Sequence, residues 1–84
     1  MNLYKISQKE NNDYDTYDSA IVAAPDEETA RGMSPITGKK ITIKEWKNRY
    51  SSWCSKPDFV TVEFLGTAKR GTKKGVVCSS FNAG

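Results

Sequence analysis

Ser19-Ala20-Ile21-Val22-Ala23-Ala24, running without a break into Pro25-Asp26-Glu27-Glu28-Thr29-Ala30-Arg31-Gly32, decides the fold class. The first six residues are small or β-branched on both faces, which suits an interior strand covered on at least one side. Pro25 then opens a segment with acids in its first turn, a cation in its last and Gly32 just beyond, the asymmetry favoured by helix ends and the macrodipole. A strand therefore passes directly into a short helix. Its inward side carries Ala30 and Met33, a thin stripe, so tertiary contact must hold it.

Working outward, Leu3 to Ser7 alternates weakly as a first strand and runs into the turn-like Gln8-Lys9-Glu10-Asn11-Asn12-Asp13. Downstream, Ser34 to Lys40 reads as a mobile connection. Thr42-Ile43-Lys44-Glu45 then has the T-x-x-E form of a capping box. Ile43, Trp46, Tyr50 and Trp53 follow at steps of three, four and three, which predicts a second amphipathic helix with these residues on its buried face and Lys44, Lys47, Asn48 and Ser51 outside. Ile41-Thr42-Ile43 reads alternatively as a brief strand.

The clearest strand pattern is Asp58 to Leu65, with Val60, Val62 and Phe64 on one side and Thr61 and Glu63 on the other, ended by Gly66. Thr67 to Gly75 reads as an exposed basic hairpin loop, and Val76 to Phe81 as the returning strand. The expected fold is α+β: one domain, residues 1–84, with a four-stranded antiparallel sheet and one or two short helices on one face, in the order strand, strand, helix, helix, strand, strand.

Composition narrows the chemistry. A chain of 84 residues holds one small core. It contains no histidine, which removes the usual general base near neutral pH and the commonest nitrogen ligand for zinc. No catalytic residue, metal site or cofactor is expected, and the chain reads as a non-enzyme. Cys54 and Cys78 form neither a disulfide framework nor a CxxC pair, so both thiols are expected to be free and to serve packing. No segment reads as a signal peptide or a membrane span, which points to the cytoplasm.

The net charge of +3 is unevenly spread. Residues 1 to 30 hold two lysines against seven acids, a net of −5, and residues 31 to 84 hold eleven Lys/Arg against three acids, a net of +8. The basic part would attract an anionic partner if the halves segregate in space; scattered loop lysines are otherwise solvated decoration.

Tyr14-Asp15-Thr16-Tyr17-Asp18-Ser19 is the candidate recognition tract, six consecutive hydroxyl or carboxylate side chains placed in a loop leading into the second strand. Phenols stack or pack on a partner while carboxylates and hydroxyls fix orientation. The same residues also suit Asx turns, with the tyrosines roofing the sheet. Arg31, Lys69 and Arg70 are the candidate anion contacts. Lys69-Arg70-Gly71-Thr72-Lys73-Lys74-Gly75 lacks the residue order of a phosphate loop. Trp46, Tyr50 and Trp53 with Lys44, Lys47 and Arg49 have the makings of a stacking surface, but no helix-turn-helix, RNP or zinc-finger signature supports direct nucleic-acid binding.

Leu3-Tyr4-Lys5-Ile6-Ser7-Gln8, the Tyr14 to Ala20 tract with Val22-Ala23-Ala24, Glu28-Thr29-Ala30-Arg31, and the closing Gly75-Val76-Val77-Cys78-Ser79-Ser80-Phe81-Asn82-Ala83-Gly84 together resemble a family of small accessory proteins of tailed bacteriophages and prophages. The resemblance spans nearly the whole chain. It implies a phage accessory product working in the host cytoplasm, and it carries no established activity and no catalytic residue. Small phage proteins of this kind resemble counter-defence factors. The function expected on that basis is inhibition of a host immune protein, of CRISPR type or another nucleic-acid effector, by occupying its surface through Tyr14, Asp15, Tyr17 and Asp18. Alternatives are sequestration of a small nucleotide signal, with Tyr14 and Tyr17 on the bases and Arg31, Lys69 or Arg70 on phosphate, and a minor virion or assembly role. Partners are thus a host defence protein or a nucleotide signal, with a homo-oligomer open.

Overall fold

A computed structural model describes residues 1–11, 16–47 and 53–82. Strands β1 (Asn2–Ser7) and β2 (Thr16–Ala24) are followed by helices α1 (Glu27–Arg31) and α2 (Ile43–Trp46), a single 3-10 turn at Pro57–Phe59, and strands β3 (Thr61–Thr67) and β4 (Gly75–Asn82). The strands form one four-stranded antiparallel sheet, an α+β arrangement with the expected element order. Asp26 caps α1 by accepting a 2.7 Å hydrogen bond from the Thr29 amide. Thr42 and Glu45 close the anticipated capping box on α2.

The sheet order is β3-β1-β2-β4, which corrects the second hairpin. β3 pairs with β1 and β4 with β2, so the segment after β3 is a crossover rather than a hairpin loop. Tyr4 and Ile6 offer Phe64 and Val62 apolar partners on the same face, and the Tyr4 and Phe64 rings meet edge to face at 5.7 Å. Reaching β4 from β3 means crossing β1 and β2, about three spacings of 4.8 Å or roughly 14 Å. Residues 68–74 can extend over about 23 Å. The Ala68 amide, donating to the Met1 carbonyl at 2.9 Å, starts the crossing.

Both outer strands are irregular. Leu65 stands outside the β3 register between the pairs Tyr4↔Phe64 and Leu3↔Gly66, and Val77 stands likewise in β4 between Val22↔Val76 and Ile21↔Cys78. Bulges at free edges twist them away from further strands, which guards a sheet against open-ended pairing.

One face of the sheet is covered. Tyr4, Ile6, Ala20, Val22 and Ala24 pack beneath Ala30 of α1 and beneath Met33, Trp53, Cys54 and Val60. Alanines at positions 20, 24 and 30 let a five-residue helix lie close to the strands, which is how so thin a stripe is retained. Arg31 pins the helix by donating from its guanidinium to the Val60 carbonyl, and it also reaches Glu27 at 3.3 Å. Behind α1, Gly38 at φ 74° brings the 33–40 loop against Gly75 and Val76, where a Cβ would stand 2.8 Å from the Val76 nitrogen. The Met33↔Lys40 bridge closes that loop.

Candidate functional site

The described part of the recognition tract is strand, which corrects its placement in a loop. Thr16, Tyr17 and Ser19 pair with Asn82, Phe81 and Ser80, and the register slips at Asp18. Beyond that slip Thr16 is buried, at 3% exposed, and Tyr17 is half-buried against the core. Asp18 is exposed and Ser19 half-buried. The backbone here is held as well: Gln8 donates from its amide to the Asp18 carbonyl at 3.2 Å and from Nε2 to the Tyr17 carbonyl at 2.9 Å. Tyr14 and Asp15 lie outside the described residues. Of the four that remain, Asp18 alone is fully outward-facing.

The candidate cations are not gathered at one point. Arg31 spends its guanidinium on the Val60 carbonyl and Glu27, just ahead of β3. Lys69 and Arg70 follow β3 at its other end, eight or more residues on and roughly 25 Å along an extended strand. There they are exposed on a turn closed by Thr72, whose amide donates to the Lys69 carbonyl at 3.0 Å.

The two thiols differ. Cys54 is buried and its Sγ donates to the Lys56 carbonyl at 3.4 Å. Burial first, and then the Glu10 carboxylate, push its thiol up to about 11. A thiol so held is protonated at neutral pH and a poor nucleophile. Cys78 is exposed on β4. Among the described residues no three of His, Cys, Asp and Glu come together as a metal site.

An open apolar surface lies where the sequence placed core. α2 spans Ile43–Trp46, so the long buried face expected for Ile43, Trp46, Tyr50 and Trp53 is not one helical stripe. Ile43 is 75% exposed, Trp46 is half-buried against the core edge, and Trp53 is buried in the segment that leads to the 3-10 turn. Tyr50, Asn48, Arg49 and Ser51 lie outside the described residues. Ile41-Thr42-Ile43 forms no strand: Ile41 donates its amide to the Gly32 carbonyl at 2.8 Å and Thr42 caps the helix.

Ile43, Trp46 and Lys47 form one wall of a groove of about 530 Å³, and Ser55, Lys56 and Pro57 form the other. Each wall is fixed locally. Ile43 and Trp46 are three apart on α2 and so share a side. The opposite wall is tied to the β1–β2 connection, since the Glu10 carboxylate accepts from the Ser55 amide at 2.9 Å and from the Ser55 hydroxyl at 3.0 Å. Pro57 at the first position of its turn presets the backbone there. The floor is apolar and the rim carries both signs of charge, Lys47 and Lys56 lining it with Lys44, Glu45, Glu10 and Asp58 exposed close by in sequence or by hydrogen bond. Two nearby carboxylates already accept hydrogen bonds within the fold: Glu45 takes the Thr42 amide at 3.1 Å, and Glu10 takes Ser55. Asp58 is the exposed acid that follows Pro57.

Comparison with family models, with curated proteins and with solved structures returned no match.

Proposed function

We propose that this chain is a non-enzymatic binding protein of phage origin, a counter-defence factor that inhibits a host immune protein by occupying its surface. The contact is centred on the groove between Ile43–Trp46 and Ser55–Pro57 rather than on the Tyr14 to Ser19 tract. One observation carries this reading: an isoleucine three-quarters exposed beside a tryptophan and a proline, together walling an accessible apolar groove. Single exposed hydrophobes are ordinary, but a contiguous apolar concavity rimmed by charge marks a place of interaction. Tryptophan is also enriched among residues that dominate binding energy. The absence of histidine from the sequence, and a Cys54 thiol held protonated, favour binding over covalent or acid–base chemistry.

The test is plating efficiency of a defence-sensitive phage on hosts that produce the chain, using a panel of CRISPR-type and other nucleic-acid-effector defences. Plating is expected to rise on one defended host and to stay unchanged on its undefended counterpart. Ile43→Glu, at a side chain three-quarters exposed, is expected to abolish the rise while the circular dichroism spectrum stays native. No rise on any defended host would overturn the reading, and a folded Ile43→Glu with full effect would move the contact away from the groove.

A further inference from the structure

We infer that β4 pairs antiparallel with β4 of a second copy of this chain, about a two-fold axis at Ser80, so that two four-stranded sheets join into one of eight. β4 ends the strand order, with β2 as its neighbour on one side and no strand on the other. Its outer side therefore presents a row of backbone donors and acceptors on which a further strand can pair. Folded chains blunt such an edge with charge, proline, a bulge or brevity. β4 uses a bulge, and it stands near the start of the strand, at Val77, where Gly38 of the 33–40 loop also packs against Gly75 and Val76. From Cys78 to Asn82 the strand is unbroken, since the slip at Asp18 belongs to β2.

The side chains leave this edge open. Gly75-Val76-Val77-Cys78-Ser79-Ser80-Phe81-Asn82 contains neither charge nor proline, in a chain of which 27% is charged. Val77, Cys78, Ser79 and Ser80 are exposed in succession, so neither face of the strand is covered there. Small neutral side chains on both faces let a second strand approach without clash or repulsion.

Symmetry and the opposite edge identify the occupant. An antiparallel ladder is self-complementary, because a two-fold rotation sets an edge's donors against its own acceptors. With the axis at Ser80, Ser80 stands opposite itself, Ser79 opposite Phe81 and Cys78 opposite Asn82. This register uses the whole unbroken stretch and leaves the Val77 bulge outside. No charge on β4 would select a foreign strand, whereas its own copy satisfies both edges at once. β3, left at the two ends of the joined sheet, carries the exposed Glu63 and a bulge at Leu65, so assembly stops at two copies. An interface this short belongs to the weak, reversible class. It is independent of the groove and adds to the proposed function.

The experiment is sedimentation equilibrium of the full chain up to about 1 mM, where a dimer with a Kd in the micromolar to millimolar range is populated. The native chain is expected to dimerise. Ser80→Lys and Ser80→Glu, each placing like charges opposite one another, are expected to weaken association about fivefold, and an equimolar mixture of the two to regain it. Neither misfolding nor a foreign partner would give that rescue. Ser80→Cys in a Cys78→Ser chain is expected to form a disulfide-linked dimer on air oxidation, because opposed Cα atoms stand about 4.5–5.5 Å apart, within disulfide reach. Cys78 of the native chain, roughly 14 Å from its copy along the strands, is expected to stay free. A native monomer at about 1 mM, or no gain on mixing the two charged variants, overturns the pairing. Oxidation that links Cys78 but not Ser80→Cys overturns it as well.

Discussion

Ile43 and Ile6 are the same residue in opposite situations, and replacing each measures directly whether the groove is open. Ile6 is 0% exposed, with Ala20 beside it on β2 and Val62 on β3. Truncation to alanine removes three carbons from a packed site and costs about 2–5 kcal/mol. A chain of 84 residues has on the order of 4–13 kcal/mol in all, at about 0.05–0.15 kcal/mol per residue. Ile6→Ala is therefore expected to remove about 40% of the stability at the middle of both ranges. Ile43 buries only a quarter of itself, and a quarter of the roughly 1.5–3 kcal/mol for full burial is about 0.4–0.7 kcal/mol. Ile43→Glu offsets part of that, because the new carboxylate lies four residues ahead of Lys47 and glutamate is the better helix former, together worth about 0.3–0.5 kcal/mol. Its net effect on stability is expected to be within about 0.5 kcal/mol. Urea titration followed by tryptophan emission reads both variants, and unchanged m-values would show that only the native contacts were altered. A loss above about 1.5 kcal/mol for Ile43→Glu would mean that the side chain is covered, and the groove argument would fail with it.

Arg31→Met is expected to destabilise the fold by about 1–3 kcal/mol, because it leaves the Val60 carbonyl without its charged donor. A thermal-shift screen of the native chain with cyclic di- and oligonucleotides is expected to be flat, and a ligand-dependent rise in Tm would instead return Arg31 to anion binding. Gly38→Ala is expected to cost about 2 kcal/mol or more in the same titration, since its φ of 74° is unfavourable to alanine and its Cβ would meet backbone at Val76 and Gly75. Maleimide labelling should modify Cys78 rapidly and Cys54 only once the chain is unfolded; equal rates would contradict the burial of Cys54. Hydrogen bonds from Thr29 hold the Asp26 carboxyl below its ordinary 3.8, so its contribution is fully present above that value and is lost as pH falls through the lower folded one. Asp26→Asn should accordingly flatten the decline of stability below pH 3.8, and an unchanged acid limb would count against the cap.

What local chemistry controls was legible in the sequence. Alternation marked β1 and β3, and a run of small and β-branched residues marked the later part of β2; Asp26, Thr42 and Glu45 announced two helix starts that the structure bears out. Pairing was not legible, because β3 and β4 carry no residue that names a neighbour. The choice of β1 over β4 as partner for β3 rests on Tyr4 and Ile6, forty or more residues away in the chain. The tract was misplaced for a related reason: its hydroxyls and acids suit a loop one at a time, yet β2 extends back through them, and a register slip at Asp18 interrupts the alternation so that Asp18 faces out while Thr16 is buried.

The groove escaped detection through a different failure, and that failure explains why its apolar wall is open. Spacing at three and four assigns Ile43 and Trp46 to one buried stripe only if the helix continues far enough to carry that stripe across the sheet. The described helix ends at Trp46, with Trp53 taken into the core from a separate segment, so the stripe is divided between the interior and the surface. Ile43 then keeps the apolar character of a core position without a place in the core. Nothing in the fold requires an exposed isoleucine there, since the capping box of Thr42 and Glu45 holds α2 regardless of what stands between them. The fold thus leaves at position 43 a hydrophobic side chain that its own packing does not use.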